Sequence, residues 1–201
     1  MTDRYIAFEG IEGAGKSTVA EQVAEKLRAD GDRVVTVREP GGTHTGERIR
    51  GVLLDADGTP GPWAESLLFA AARAQLAEEV VGPALAGGAR VLSDRSVYSS
   101  LAYQGGGRRL GIDAVRSVNE PGLVGVWPQL VVLLRVDPAT GLRRQRIADR
   151  IGREGVEFQE RVADAFDDLA AAEPGRFVVV DADRPFGDVV AAVLEEIGGR
   201  P

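Results

Sequence analysis

Gly10-Ile11-Glu12-Gly13-Ala14-Gly15-Lys16-Ser17 follows the apolar run Tyr5-Ile6-Ala7-Phe8 and precedes a segment of helical period. This is a complete G-x-x-x-x-G-K-[ST] phosphate loop in the strand–loop–helix context the motif requires. Its glycines let the backbone curl so that successive N–H groups converge on phosphate oxygens, and the positive end of the following helix adds to their field. In that reading Lys16 reaches the β- and γ-phosphates and Ser17 ligates Mg²⁺, while Gly10, Ile11, Glu12, Gly13, Ala14, Gly15 and Thr18 complete the ATP-binding segment. Lys16 and Lys26 are the only lysines among 24 basic residues, so a lysine in this slot is a deliberate choice. The competing reading is a glycine-rich turn that binds nothing.

Working outward, the 201 residues show no Pro/Gly-rich linker and no shift of composition, which predicts a single domain over 1–201. The chain has no cysteine and one histidine, His44, which excludes disulfides, thiolate catalysis, Cys- or His-based zinc sites and Ser-His triads. No stretch has the length of a membrane helix, and the N-terminus lacks a basic segment followed by an apolar one. These features predict a cytoplasmic protein without a membrane partner. The net charge of −7 argues against a nucleic acid polymer as partner, since that needs a broad basic face.

Short β-branched runs alternate with long Ala/Leu/Glu/Arg segments, the pattern of βαβ units around a parallel sheet. Strands are predicted at Arg4 to Phe8, Arg33 to Val37, Arg90 to Ser93, Leu130 to Val136 and Arg176 to Val180. The fold class is therefore α/β, a doubly wound five-stranded parallel sheet. Ligands of such sheets sit beyond the carboxyl ends of the strands. The segments there are Glu9 to Lys16, Arg38 to Thr43, Asp94 to Tyr103 and Asp181 to Pro185. Asp94 ends the third strand, where a carboxylate can hold Mg²⁺ or cap the helix expected from about Ser96. A helix expected from about Trp63 to Leu85 places Phe69 and Arg73 four apart on one face, able to meet one flat ligand together or to serve as core and solvated surface.

Three blocks carry a resemblance: the glutamate-containing phosphate loop, Arg38-Glu39-Pro40-Gly41-Gly42-Thr43, and Asp94-Arg95 with Ser99-Ser100-Leu101-Ala102-Tyr103-Gln104-Gly105. Together they resemble the bacterial thymidylate kinases, from about Tyr5 to about Ile197. The resemblance implies a P-loop nucleoside monophosphate kinase that transfers the γ-phosphoryl group of Mg·ATP to dTMP, giving dTDP and ADP in dTTP synthesis. It implies ATP and dTMP as partners, Mg²⁺ as cofactor and a homodimer. It also implies that Arg95 and Arg50 clamp the dTMP phosphate, although Arg50 can equally be a solvated residue of the helix from Thr45 to Leu54. Phe69 corresponds to the residue stacking on thymine and Arg73 to the donor for O4. Ser99, Ser100 and Gln104 fall within the same pocket, Ser100 and Gln104 serving thymine N3–H and O4, and Tyr103 crowds the sugar 2′ position. Glu39 matches another acid of the acceptor pocket, and Glu12 matches the acid serving the 3′-hydroxyl and the Mg²⁺ network, so that Ser17, Asp94 and Glu12 form the metal set.

The stretch from Gly141 to Phe158 holds Arg143, Arg144, Arg146, Arg150 and Arg153, the densest basic run in an acidic chain. As a charge run it can be a solvated helix face. In the resembled family, a phosphate loop without a basic residue goes with a lid that supplies arginine to the transferring phosphoryl, here about 143–156. Arg150 is preferred over Arg153 because Asp149-Arg150 matches the family's lid pair, and Lys16, Arg95, Arg150 and Arg153 form the catalytic set. Arg144 resembles the arginine packing on adenine, with Ala182 and Asp183 in the loop bordering the base. The chain departs from the family at Ser96, Gly152, Gln159 and Phe166. Two other readings are a same-fold kinase for another nucleotide or nucleoside and a GTPase-like switch. Against the switch, the sole asparagine is Asn119, which leaves no Asn-Lys-x-Asp motif.

Overall fold

The structure, a computed structural model, describes residues 4–55, 58, 60–144 and 150–199. Five parallel strands, β1 (Tyr5–Glu9), β2 (Val34–Arg38), β3 (Arg90–Asp94), β4 (Leu130–Arg135) and β5 (Phe177–Asp181), form one sheet in the order β2-β3-β1-β4-β5. β1 is central and wholly buried, as its unbroken apolar run requires in a sheet covered on both faces. The strand order reverses at β1, so the crevice past its carboxyl end is the topological switch point. β1, β2 and β5 begin and end one residue later than expected, β3 begins at Arg90 as expected and ends one residue later, and β4 stops at Arg135, one residue early. The terminal residues Glu9, Arg38, Asp94 and Asp181 remain in or against the hydrogen-bonded ladder although their polarity suggests loop.

Helices α1 (Lys16–Ala29), α2 (His44–Leu54) and α3 (Pro62–Leu76) follow β1 and β2. Thr43 caps α2, its Oγ1 accepting the Gly46 N–H at 2.9 Å, and Pro62 opens α3 where a missing N–H costs nothing. The single helix expected to Leu85 is interrupted by a π turn at Ala77–Val81 before α4 (Gly82–Ala86). After β3 the short α5 (Val97–Ser100) runs into a second π segment, Leu101–Gly107. Ser96, not Asp94, caps α5, its Oγ accepting the Tyr98 N–H. Then come α6 (Ile112–Leu123), α7 (Pro138–Arg144), α8 (Val156–Ala172) and α9 (Phe186–Gly198). One helix group, α1 with α9, covers part of the sheet, while α3, α6, α8 and the second π segment pack on one another. No described helix is long and apolar enough to cross a membrane.

Candidate active site at the carboxyl ends of the strands

A cleft of about 500 Å³ opens past β1, β2 and β3, bordered by the phosphate loop, the β2–α2 turn, α3 and the α5–π segment. Such a volume is ordinary for a small-molecule site. Every residue of the expected acceptor set lines it: Glu12, Glu39, Arg50, Phe69, Arg73, Arg95, Ser99, Ser100, Tyr103 and Gln104. Gly13, Gly15, Lys16, Ser17, Thr18 and Asp94 line it too, whereas Gly10, Ile11 and Ala14 support the loop from behind.

The phosphate loop closes against the start of α7. A side chain on Gly13 would collide with the backbone of Gly141, and one on Gly141 with the Glu12 carbonyl, so both positions must be glycine for the loop to lie there. Gly15, at φ 85°, turns the chain into α1 without a side-chain cap, which leaves the first helical N–H groups facing the cleft. Lys16 is 6% exposed and its Nζ donates to the Ile11 carbonyl at 2.7 Å. Burial pushes its pKa down from 10.5 to about 8, helped by the Arg95 charge and opposed by Glu12, Asp94 and Glu9. The Ser17 hydroxyl donates to Asp94 Oδ2 at 2.5 Å, so a hydroxyl and a carboxylate meet at the loop mouth.

Arg95 sits directly after β3 with φ 73°, a left-handed conformation uncommon for a side-chain-bearing residue. That backbone aims its guanidinium back into the cleft, where it pairs with Glu12, donates to Ser99 Oγ at 3.2 Å and lies 5.0 Å from the Tyr103 ring centroid. Burial raises the Glu12 carboxyl, but Arg95 and Lys16 outweigh it and hold the group below the ordinary carboxylate range. Behind them Glu9, fully buried, accepts from Ser96 Oγ, Ser99 N and Ser99 Oγ at 2.7, 3.1 and 2.6 Å. Burial pushes its carboxyl up despite those hydrogen bonds.

Arg73 is buried and held by three groups: Glu39 Oε2 at 2.6 Å, Asn119 Oδ1 at 2.5 Å and the Ser96 carbonyl at 3.1 Å. It is thus no solvated surface residue, and it borders the cleft beside Phe69. Glu39 anchors Arg73, and burial pushes the Glu39 carboxyl up while Arg73 opposes. Arg50 donates to the Pro40 carbonyl at 2.8 Å. Ser100 Oγ is buried with no hydrogen-bond partner among the described residues, and it borders the same cleft.

The lid residues are distributed differently. Arg144 donates to the Ala182 carbonyl at 3.1 Å and to Asp183 Oδ1 at 2.9 Å, which brings together the residues expected near adenine. Arg150 is not brought into the cleft: its Nε donates to the Leu53 carbonyl at 3.0 Å and its Nη2 to Glu65 at 2.6 Å. Arg153 is exposed, Ile151 borders the cleft, and Arg146 and Asp149 lie outside the described residues. Sequence reasoning missed Glu9, Glu65 and Asn119. Glu65 was findable, standing four residues before Phe69 on the face that carries Arg73.

A thymidylate kinase family profile matches residues 8–193. The chain is 45% identical to a thymidylate kinase of Halothermothrix orenii, with 99% of this chain and 98% of the relative covered. It is 48% identical to that of Pelotomaculum thermopropionicum, covering 92% and 88%, and 45% identical to that of Deinococcus radiodurans, covering 98% and 97%. Among solved structures, the crystal structure of thymidylate kinase from Ehrlichia chaffeensis superposes with a TM-score of 0.82 at 30% identity over 98% of this chain and 99% of that one.

Proposed function

The chain belongs to the thymidylate kinase family and is a phosphotransferase that converts dTMP to dTDP with ATP; on that premise we propose how its own residues divide the work. The observation that carries the assignment is one cleft into which the phosphate loop, Arg95 and the Phe69–Arg73 face all open. The acceptor oxygen of dTMP is already anionic, so no general base is needed. Catalysis reduces to bringing two anions together and neutralising them. Lys16 and the α1 N–H groups take the ATP phosphates, with Arg144, Ala182 and Asp183 beside the adenine. Arg95 and Arg50 take the dTMP phosphate, and planar, multidentate guanidinium donors suit that task.

Phe69 stacks on the base, Arg73 donates to O4, and Tyr103 occupies the space a 2′-hydroxyl would need. Glu12 fixes Arg95 and borders the sugar site. Ser17 and Asp94 would hold Mg²⁺: their juxtaposed oxygens fit a cation that keeps waters and phosphates as its other ligands. When bound, the ion would neutralise phosphate charge. Lid arginines supply the remaining positive charge. Arg150 reaches a phosphoryl group only by breaking its buried ion pair with Glu65, whereas the contacts of Arg153 lie at an exposed position and cost little to exchange, which favours Arg153 for that contact. We assign the chain to the cytoplasm, where both soluble nucleotides are available. Exposed Val52, Trp63 and Leu67 on the packed pair α2 and α3 support a homodimer across that face.

The test compares dTMP with thymidine as acceptor. Phosphorylation of dTMP alone is expected, because Arg95 and Arg50 require a phosphate and Glu39, the candidate base for a 5′-hydroxyl, is engaged with Arg73. Equal use of thymidine would overturn the assignment.

A further inference from the structure

Glu65 begins a series on α3 in which Phe69 and Arg73 follow at four-residue steps, so the three share one helical face. It is 1% exposed, yet its carboxylate is fully engaged. Gln104 Nε2 donates to Oε1 at 2.8 Å, Arg108 donates to both oxygens at 3.2 Å, and Arg150 Nη2 donates to Oε2 at 2.6 Å. Burial alone would raise this carboxyl, but the hydrogen bonds from Arg108, Gln104 and Arg150 hold it below the ordinary range. It is ionised at neutral pH, and an ionised carboxylate only accepts.

We propose that Glu65 is a positioning residue for base recognition: it turns the Gln104 amide so that Nε2 faces α3 and Oε1 faces the cleft. Gln104 is itself 1% exposed and borders the cleft, and no described residue hydrogen-bonds its Oε1. Without Glu65 the two ends of the amide would be close to interchangeable. With it, the wall presents a fixed acceptor at Gln104. Arg73, which has only donors, is held by Glu39, Asn119 and the Ser96 carbonyl and supplies the donor. A pyrimidine with a carbonyl at C4 and a proton on N3 matches that pair. Cytosine, with an amino group at C4 and a bare N3, opposes both. Discrimination then comes from two buried polar mismatches, which a site rejects far more strongly than a change of shape.

The inference rests on the dTMP reading of the cleft. The test measures kcat and KM for dTMP and dCMP with the full chain carrying Glu65→Gln, Gln104→Met or both. Glu65→Gln, whose amide can meet Gln104 in either sense, is expected to lower the dTMP:dCMP ratio of kcat/KM by at least about tenfold, the value of one hydrogen bond, chiefly through KM for dTMP. Gln104→Met is expected to lower it similarly, and adding Glu65→Gln to it to lower it no further. An unchanged ratio in folded Glu65→Gln would overturn the proposal, as would independent, multiplying effects in the double variant. Should Glu65→Gln fail to fold by circular dichroism, Gln104→Met decides: an unchanged ratio there overturns the proposal, and a lowered one supports it. A wild-type enzyme that used dCMP as well as dTMP would instead overturn the dTMP reading, and this inference with it.

Discussion

Raising the pH from 7 to 9 should weaken ATP binding about tenfold through Lys16, whose burial beside Arg95 lowers its pKa to about 8. In the free protein this lysine is charged at pH 7 and roughly nine-tenths neutral at pH 9, by ordinary titration about that value. Nucleotide phosphates bring the opposite charge within reach and restore the ammonium form. Binding at pH 9 must therefore take up about one proton, at a cost of about 1.4 kcal/mol that is negligible at pH 7. Stability of the free protein runs the other way. A lysine whose folded pKa is lowered detracts from stability where both states are charged, below about 8, and that penalty is relieved as the pH rises from about 8 toward 10.5. Calorimetric titration of ATP in two buffers of different ionisation heat, at pH 7 and pH 9, counts the protons directly. Lys16→Met should abolish the pH dependence. No proton uptake at pH 9, with Kd unchanged, would refute the buried-lysine argument.

Phe69→Ala should weaken dTMP binding by ~1–3 kcal/mol through lost stacking, read by calorimetry; unchanged affinity would demote Phe69 to core. Arg73→Ala should reduce discrimination against dCMP and also destabilise the fold by roughly 3–5 kcal/mol in urea titrations, because it strands buried Glu39. Arg153→Ala should lower kcat by at least about a hundredfold with dTMP KM nearly unchanged, on the precedent of arginines in other phosphoryl transfers. Arg150→Ala should lower kcat less and reduce thermal stability, since it removes a partner of Glu65; the reverse order in single-turnover rates would return the phosphoryl contact to Arg150.

The α/β plan and the cleft were legible because their signals are local. A strand, a glycine-rich loop and a helix in succession announce the phosphate loop, and the polar residues bunched after each strand mark the side of the sheet where ligands bind. Strand ends shifted by a residue because Glu9 and Asp94 are acids that nonetheless stay at the ladder, and polarity alone reads them as loop. The two π segments were invisible for a different reason: an extra residue per turn leaves the apolar period almost unchanged over five to seven residues. Partners were the least legible feature. Nothing local in Asn119, 46 residues beyond Arg73, says that it receives that guanidinium, and nothing in Arg150 says that Glu65, 85 residues earlier, holds it. The left-handed backbone of Arg95 likewise carries no local signal, since its residue type does not favour that conformation.

The central claim is that this cleft accepts dTMP and passes it a phosphoryl group from ATP. Coupled ADP release, measured over a panel of dTMP, dCMP, AMP and the ribose form of TMP, tests it most directly. Turnover far faster with dTMP than with any other acceptor is the predicted result, because the proposed roles of Arg73, Tyr103 and Arg95 fall on different parts of that one molecule; turnover of dCMP or AMP as fast as dTMP would contradict it.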